Sequence, residues 1–300
     1  MRDCARRLKV FQHTLVAYDG SEESAAGFHF ALRLAELSGG RVTMVHVLDS
    51  PTETLDSAPE PGPALEDWLQ QCQESWTERL GSLAAAAPAG VEVTTRVLRG
   101  SPPLVLADLI AEAAPDLAVA GTHGVGLRRY LLGSVSQRLL ERAGCDLLLI
   151  RDRGWEGRPL SVIVGMDESE NARRALQRGG ALASHFSARL VLVHVSDHRI
   201  PFAMTDAYPS VTRTLREHGR RLLADAHSTV TAPVESVRED LREGSPHVGL
   251  IAACHEHEPA IAVVGGHGSH GLLIGSTARE LVNEAPCPVL VVRESAGPSD

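Results

Sequence analysis

A glycine-rich stretch in the first half of the chain has the residue types that phosphate binding requires. Residues 121–126 hold three glycines and follow the apolar run 117–120, which is typical of a buried strand. Arg128 and Arg129 come next, and Gly133 then precedes an apolar-periodic run that predicts a helix. Glycines let backbone N–H groups approach an anion, and a helix N-terminus adds unpaired donors and a positive dipole end. The stretch therefore predicts a phosphate-binding loop between a strand and a helix.

A second stretch near the C-terminus, residues 260–277, has nearly the same pattern, and other landmarks also recur. Asp19 and Asp167 each follow an apolar run and lie 148 positions apart. The glycines Gly133 and Gly275, which precede the predicted helices, lie 142 positions apart. A nearly constant offset along the whole chain indicates a duplicated unit with small loop deletions.

The order of predicted elements indicates how these residues are positioned. Each copy alternates strand and helix, and its strands are continuous apolar runs, as in a parallel sheet covered on both faces. We therefore predict an α/β fold with two tandem Rossmann-like domains, each a doubly wound parallel five-stranded sheet with about four helices. Domain 1 spans residues 1–152, the polar linker 153–159 follows, and domain 2 spans 160–300. Ligands of such sheets bind at the carboxyl ends of the strands, where strand order reverses.

The motifs and their repeated order resemble the universal stress protein family in its tandem two-domain form. VAYDGSEES and VGMDESENA follow the first strands, and MVHVLD and LVHVSD contain the second. RGSPPLVLADLIAE and EGSPHVGLIAA contain the third helices, and the glycine loops precede CDLLLIR and CPVLVVR. The resemblance covers nearly the whole chain.

The resemblance implies an adenine nucleotide alpha hydrolase-like domain that binds adenine nucleotide. ATP is the expected ligand, accompanied by Mg²⁺, with ADP, AMP and cyclic AMP as alternatives. An aspartate after the first strand contacts the adenosine, a backbone group at the end of the second strand holds the adenine, and the loop holds the phosphates. In the first half these residues are Asp19, Val47, Gly121, Gly124, Gly133, Ser134 and Ser136, and we add Arg128 and Val135 of the same segment as candidate binding residues. In the second half they are Asp167, Val195, Gly265, Gly268, Gly275, Ser276 and Thr277.

Neither loop has the full family spacing, G-x2-G-x9-G-[ST]. Eight residues separate Gly124 from Gly133, and six separate Gly268 from Gly275. The first loop keeps Arg128 as a charged partner for phosphate, and the second has only histidines in that segment. We therefore expect nucleotide to bind chiefly to the first half, with the second site weakened or lost.

A purely structural interpretation of these residues stays open. Asp19 and Asp167 can end a strand and help to start a helix, and Ser134 with Gln137 matches the S-x-x-Q capping box. Under this interpretation, the chain is a nucleotide-free protein-interaction or dimerisation module. A weak ATPase is a further alternative, although no Ser-His-Asp order and no GxxxxGK[ST] motif predicts a catalytic residue.

Composition and charge narrow the classes of partner. The net charge of −9 and pI of about 5.9 argue against nucleic acid as a ligand. No apolar run is long enough for a membrane helix, and five scattered cysteines fit a reducing cytoplasm. No metal site is predicted, because His255 and His257 do not face each other on a helix. The apolar strands 146–150 and 288–292 are natural edges for intramolecular domain pairing, and a homodimer is an additional prospect.

Overall fold

The computed structural model describes residues 10–49, 63–122, 132–151, 155, 157–197, 208–266 and 274–293. Contacts between residues divide the chain into two compact units, Met1–Leu147 and Leu148–Asp300. The division falls a few residues before the predicted linker 153–159, and the linker itself stays a prediction. None of the described helices is both long enough and apolar enough to cross a membrane.

The first part of the chain alternates strand and helix in the predicted manner. Its described elements are β1 (His13–Ala17), α1 (Glu22–Ser38), β2 (Arg41–Leu48), α2 (Pro63–Ala85), β3 (Glu92–Arg99), α3 (Pro102–Ala113), β4 (Leu117–Gly121), α4 (Ser134–Arg142) and β5 (Asp146–Ile150). The strand order is β3-β2-β1-β4-β5, and β1 pairs in parallel with both β2 and β4. Strand order therefore reverses beside β1, which places the switch point at its carboxyl end.

The second part repeats this arrangement. Its described elements are β6 (Ser161–Gly165), α5 (Glu170–Phe186), β7 (Arg189–Ser196), α6 (Tyr208–Ser228), β8 (Val237–Glu243), α7 (Pro246–Glu256), β9 (Ala260–Gly265), α8 (Ser276–Glu284) and β10 (Val289–Val292). The strand order is β10-β9-β6-β7-β8, and β6 pairs in parallel with both β7 and β9. The predicted fold class is thus confirmed in both halves.

One strand differs in its bounds from the sequence prediction. The pattern of apolar residues favours a strand over 234–241, whereas β8 runs from Val237 to Glu243. Its register explains the shift, because Leu190 pairs with Val237 and Ser196 pairs with Glu243 along the full length of β7. The strand therefore follows its neighbour to the end, although its last residues are charged.

Helix caps fix the turns that follow β1 and β6. The hydroxyl of Ser21 accepts the backbone N–H of Ser24 at 3.1 Å, so Ser21 is the N-cap of α1. Ser169 caps α5 in the same way, accepting the N–H of Ala172 at 3.1 Å. Such caps satisfy N–H groups that the first helical turn leaves unpaired. Each cap holds the turn that carries the preceding aspartate.

Candidate functional site

A cavity lies at the carboxyl ends of β1, β2 and β4 in the first unit. Its volume is about 140 Å³, and most of the residues predicted for nucleotide binding line it. These are Asp19, Val47, Gly121, Gly133, Ser134, Val135 and Ser136. Topology brings them together, because each follows or ends one of three neighbouring parallel strands or begins α4. The predicted residues Gly124 and Arg128 lie outside the described part of the chain.

Asp19 has both a structural contact and a carboxylate oxygen available to a ligand. Its Oδ1 accepts the N–H of Ser21 at 2.9 Å and the hydroxyl of Ser21 at 2.5 Å. The structural interpretation of this aspartate is therefore correct in part. Its Oδ2 accepts no hydrogen bond from the described residues, and the side chain is only partly buried. Oδ1 thus stabilises the turn, while Oδ2 can accept a hydrogen bond from a hydroxyl group of a ligand.

The backbone of Val47 faces the cavity edge beyond the end of β1. Tyr18 donates its N–H to the carbonyl of Val45 at 2.8 Å, so Val45 directs its backbone groups towards β1. Residues two apart in a strand direct these groups to the same side. Val47 therefore also faces β1, at the level of Asp19, and its carbonyl accepts no N–H from the described residues. This carbonyl can accept a hydrogen bond from the amino group of a planar base.

The start of α4 differs from the capping-box prediction. Gly133 is the N-cap, with φ −65° and ψ 158°, and no side chain caps the helix. Ser134 is the first helical residue, so the interpretation of its hydroxyl as the cap is wrong. The exposed hydroxyl of Ser134 and the uncapped N–H groups of the first turn remain available to an anion.

Ser136 has a different contact from the one that the family resemblance implies. Its side chain is 1% exposed, and its hydroxyl donates to the carbonyl of Gly121 at 2.5 Å. Gly133 donates its N–H to the carbonyl of Thr122 at 2.8 Å. Ser136 therefore ties the helix to the end of β4, and of the two predicted hydroxyls only that of Ser134 is free among the described residues.

A histidine on the second strand joins the strand ends in each unit. Nδ1 of His46 lies 2.8 Å from the carbonyl oxygen of Tyr18, and Nδ1 of His194 lies 2.8 Å from that of Met166. Both histidines lie within strands and are half-buried, so the expectation from the sequence that they are hydrogen-bonded core residues is correct for the hydrogen bond and wrong for the burial. Burial lowers the pKa of His46, although its hydrogen bond to Tyr18 and the charge of Asp19 act in the opposite direction. A neutral imidazole thus holds the ends of β1 and β2 together.

The second unit has a cavity at the equivalent place, with a volume of about 210 Å³. All the predicted residues that the structure describes there line it. These are Asp167, Val195, Gly265, Gly275, Ser276 and Thr277. Gly268 lies outside the described residues. Asp167 accepts the N–H of Ser169 at 2.9 Å and its hydroxyl at 2.5 Å, which repeats the turn of the first unit.

Several lining residues are missing from the sequence prediction. In the first unit Val45, His46 and Leu106 line the cavity, and in the second Val193, His194 and Leu250 do. Leu106 and Leu250 occupy the same position in α3 and α7, after the repeated Gly-Ser-Pro turn. The repeated turn could have indicated these two leucines from the sequence alone. The helix that follows it packs beside the strand ends and supplies an apolar wall of the cavity.

A cluster of charged residues on α7 and β8 has the composition of a metal site. Ligand atoms of Asp240, Glu256 and His257 lie within 4.8 Å of one another. However, Arg242 donates to Asp240 at 2.7 and 2.9 Å and to Glu256 at 2.6 and 3.1 Å. These hydrogen bonds also lower the pKa of Glu256. A guanidinium is therefore already paired with both carboxylates, and the cluster is an ion-pair network.

Comparison with known proteins identifies the family. The model of the universal stress protein family matches residues 11–151 and 160–293. A universal stress protein of Mycolicibacterium smegmatis is 28% identical over 297 residues, covering 93% of this chain and 96% of the relative. One from Mycobacterium tuberculosis is also 28% identical over 297 residues, covering 95% and 98%. The crystal structure of a universal stress protein from Archaeoglobus fulgidus is similar in fold, with a TM-score of 0.68, 19% identity and coverage of 94% and 98%.

The chain therefore belongs to the universal stress protein family and contains two tandem domains of that fold. The family resemblance drawn from the motifs is confirmed. The matched relatives are of similar length to this chain, so the similarity extends over both units rather than one.

Proposed function

We propose that the chain is a regulatory protein of the stress response that binds adenine nucleotide, with ATP held chiefly in the first unit. The observation that carries this proposal is the convergence of Asp19, the carbonyl of Val47 and the start of α4 on one cavity. A carboxylate oxygen, a backbone acceptor and a helix N-terminus match the ribose, base and phosphate of a nucleotide respectively.

The chemistry of the cavity supports each part of this assignment. Val45, Val47 and Leu106 supply apolar walls for the planar base. The uncapped first turn of α4 offers N–H groups and a positive dipole end to a phosphate. Arg128 and Arg129 precede that helix in the sequence and supply positive charge for further phosphates. This is the basis for placing a triphosphate in the first unit.

Nucleotide content and thermal stability test the proposal. The purified chain is denatured, and any released nucleotide is identified by chromatography and mass spectrometry. The chain is then melted with ATP, ADP, AMP or cyclic AMP, with and without Mg²⁺. A ligand at a hundred times its Kd stabilises the folded state by about 2.7 kcal/mol. If no nucleotide is released and none raises the Tm, the nucleotide-free interaction module becomes the better explanation.

A substitution at the N-cap of α4 tests the site itself. Gly133 has extended backbone angles, so Gly133→Asp is compatible with the backbone and gives a favourable N-cap. Its carboxylate occupies the N–H groups of the first turn and repels phosphate. We expect Gly133→Asp to fold and to lose most of the ATP-induced stabilisation. Gly81→Asp is the matched control, since it adds the same charge in α2, where a Cβ atom would meet nothing within 4 Å, and is expected to retain binding.

A further inference from the structure

The two cavities have equivalent residues at the ends of their strands. They differ at the start of the helix that we assign to phosphate, α4 in the first unit and α8 in the second. Both contain an aspartate braced by a serine, a histidine bound to a carbonyl, and a valine whose backbone faces the cavity edge. At the start of the helix, however, Thr277 stands where the first unit has Val135, and Ala278 stands where it has Ser136. The second unit is therefore a modified site and not a copy of the first.

The start of α8 in the second unit offers two free hydroxyls, whereas the start of α4 in the first unit offers one. Ser276 and Thr277 both line the cavity, and neither hydroxyl has a hydrogen-bond partner among the described residues. The N-cap Gly275 is extended, with φ −62° and ψ 146°, and no side chain caps the helix. Two hydroxyls beside uncapped N–H groups form a compact set of donors. A set of this size fits the oxygens of one phosphate group.

No lysine or arginine is among the described residues that line the second cavity. Its loop has six residues between Gly268 and Gly275, and none of them is lysine or arginine. The charged side chain along the described cavity lining is the carboxylate of Asp167. Each added phosphate therefore brings negative charge near the Asp167 carboxylate and meets no lysine or arginine among the described lining residues.

The ample volume and the apolar walls nevertheless favour a ligand with a base. The cavity of about 210 Å³ is larger than that of the first unit, at about 140 Å³. Val193, Val195 and Leu250 supply the same walls as their counterparts in the first unit. A free inorganic phosphate would leave these walls without contact. The ligand class is therefore a nucleoside that carries a single phosphate.

We propose that the second unit binds a nucleoside monophosphate in preference to ATP, so that the two units have different ligands. The inference rests on the proposed function, because it uses the same assignment of base, ribose and phosphate positions. It differs from the expectation that the second site is weakened or lost, which rests on the loop spacing and on the absence of an arginine in that loop. The donors at the start of α8, together with a described lining that holds no lysine or arginine, determine the ligand that the site selects.

Calorimetric titration of the full chain, with one site disabled at a time, tests this inference. Gly133→Asp disables the first unit and Gly275→Asp disables the second, at equivalent N-caps with similar backbone angles. Gly81→Asp is the control for the added charge, because Gly81 lies in α2 outside both cavity linings and a Cβ atom there would meet nothing within 4 Å. The probes are AMP, cyclic AMP and ATP. In Gly133→Asp we expect AMP or cyclic AMP to bind at one site, at least tenfold more tightly than ATP. In Gly275→Asp that site is lost and ATP binding persists.

The outcomes separate this inference from the proposed function. If single-phosphate binding survives Gly275→Asp and disappears in Gly133→Asp, the second unit is not a site, while nucleotide binding by the first unit stands. If Gly133→Asp binds ATP as tightly as AMP and cyclic AMP, the preference for one phosphate is overturned. If no probe binds to the unmodified chain, the proposed function fails as well. Melting curves of all variants establish that each one is folded.

Discussion

The imidazole of His46 is stacked on the indole of Trp76, with ring centroids 3.6 Å apart and planes inclined by 15°. The guanidinium of Arg79 lies 4.8 Å from the centroid of the Trp76 ring. The histidine that joins the ends of β1 and β2 is therefore covered by α2 on one face of its ring. Packing of α2 thus supports the edge of the cavity, although Trp76 does not line it.

The half-buried histidine is expected to make stability depend on pH. Burial lowers the pKa of His46 in the folded chain below its ordinary value of 6.5, so the unfolded chain binds more protons in this range. The contribution of His46 is therefore present above about pH 6.5 and is lost as the pH falls towards the folded-state pKa. His46→Gln keeps a donor for the Tyr18 carbonyl and does not titrate. Urea unfolding between pH 7 and pH 5 should show a shallower loss of stability in this variant than in the unmodified chain, and equal slopes would contradict the prediction.

The two serines at the start of α4 are expected to separate stability from binding. Ser136→Ala removes a buried hydrogen bond to the Gly121 carbonyl and should lower the free energy of unfolding by roughly 1–2 kcal/mol. Because this hydroxyl is not available to a ligand, ATP affinity should change less than about twofold.

Ser134→Ala provides the matched comparison. Its hydroxyl is exposed and uncommitted, so stability should change by less than about 0.5 kcal/mol. ATP affinity should fall by about fivefold or more, equivalent to one hydrogen bond of roughly 1 kcal/mol. Urea unfolding and calorimetry measure both quantities. A larger loss of affinity in Ser136→Ala than in Ser134→Ala would show that the buried hydroxyl turns towards the ligand.

The turn after β1 allows the two roles of Asp19 to be distinguished. Asp19→Asn keeps an oxygen that can accept from Ser21, so the fold should be retained. It removes a charged acceptor, and the affinity for ATP should fall by about tenfold or more. Ser21→Ala removes the N-cap of α1 and should lower stability by about 0.5–2 kcal/mol. If Asp19→Asn reduces stability as much as Ser21→Ala and leaves affinity unchanged, the aspartate is structural alone.

Sequence patterns could predict which residues converge, because convergence follows from topology. Asp19, Val47 and Gly121 each lie at the end of a predicted strand, and the ends of parallel strands meet at one edge of the sheet. The direction of the Ser136 hydroxyl could not be predicted, since it depends on how closely α4 approaches the last carbonyl of β4. The orientation of the His46 ring beside the cavity likewise depends on the packing of α2, which is distant in the sequence. Patterns of residue type report on which elements form, and contacts between elements decide what each side chain does.

The close approach of α7 to β7 gives a prediction about the second cavity. A Cβ atom at Gly249 would lie 2.7 Å from Cγ2 and 3.1 Å from Cγ1 of Val195, a residue that lines the cavity. Valine is stiff about χ1 and cannot turn away cheaply, so α7 or the strand must shift. Gly249→Ala should lower stability by about 1–3 kcal/mol and weaken binding of AMP to the second unit.

Gly81→Ala is the control for this substitution. Gly81 lies in α2, and a Cβ atom there meets nothing within 4 Å. Alanine favours a helix over glycine by about 0.5–1 kcal/mol, so this variant should gain stability. Both variants are measured by urea unfolding and by titration with AMP. The prediction is contradicted if the Gly249→Ala chain is as stable as the unmodified protein and binds AMP equally well. That result would show that α7 can move away from Val195 without disturbing the cavity, and that this contact does not determine the shape of the second site.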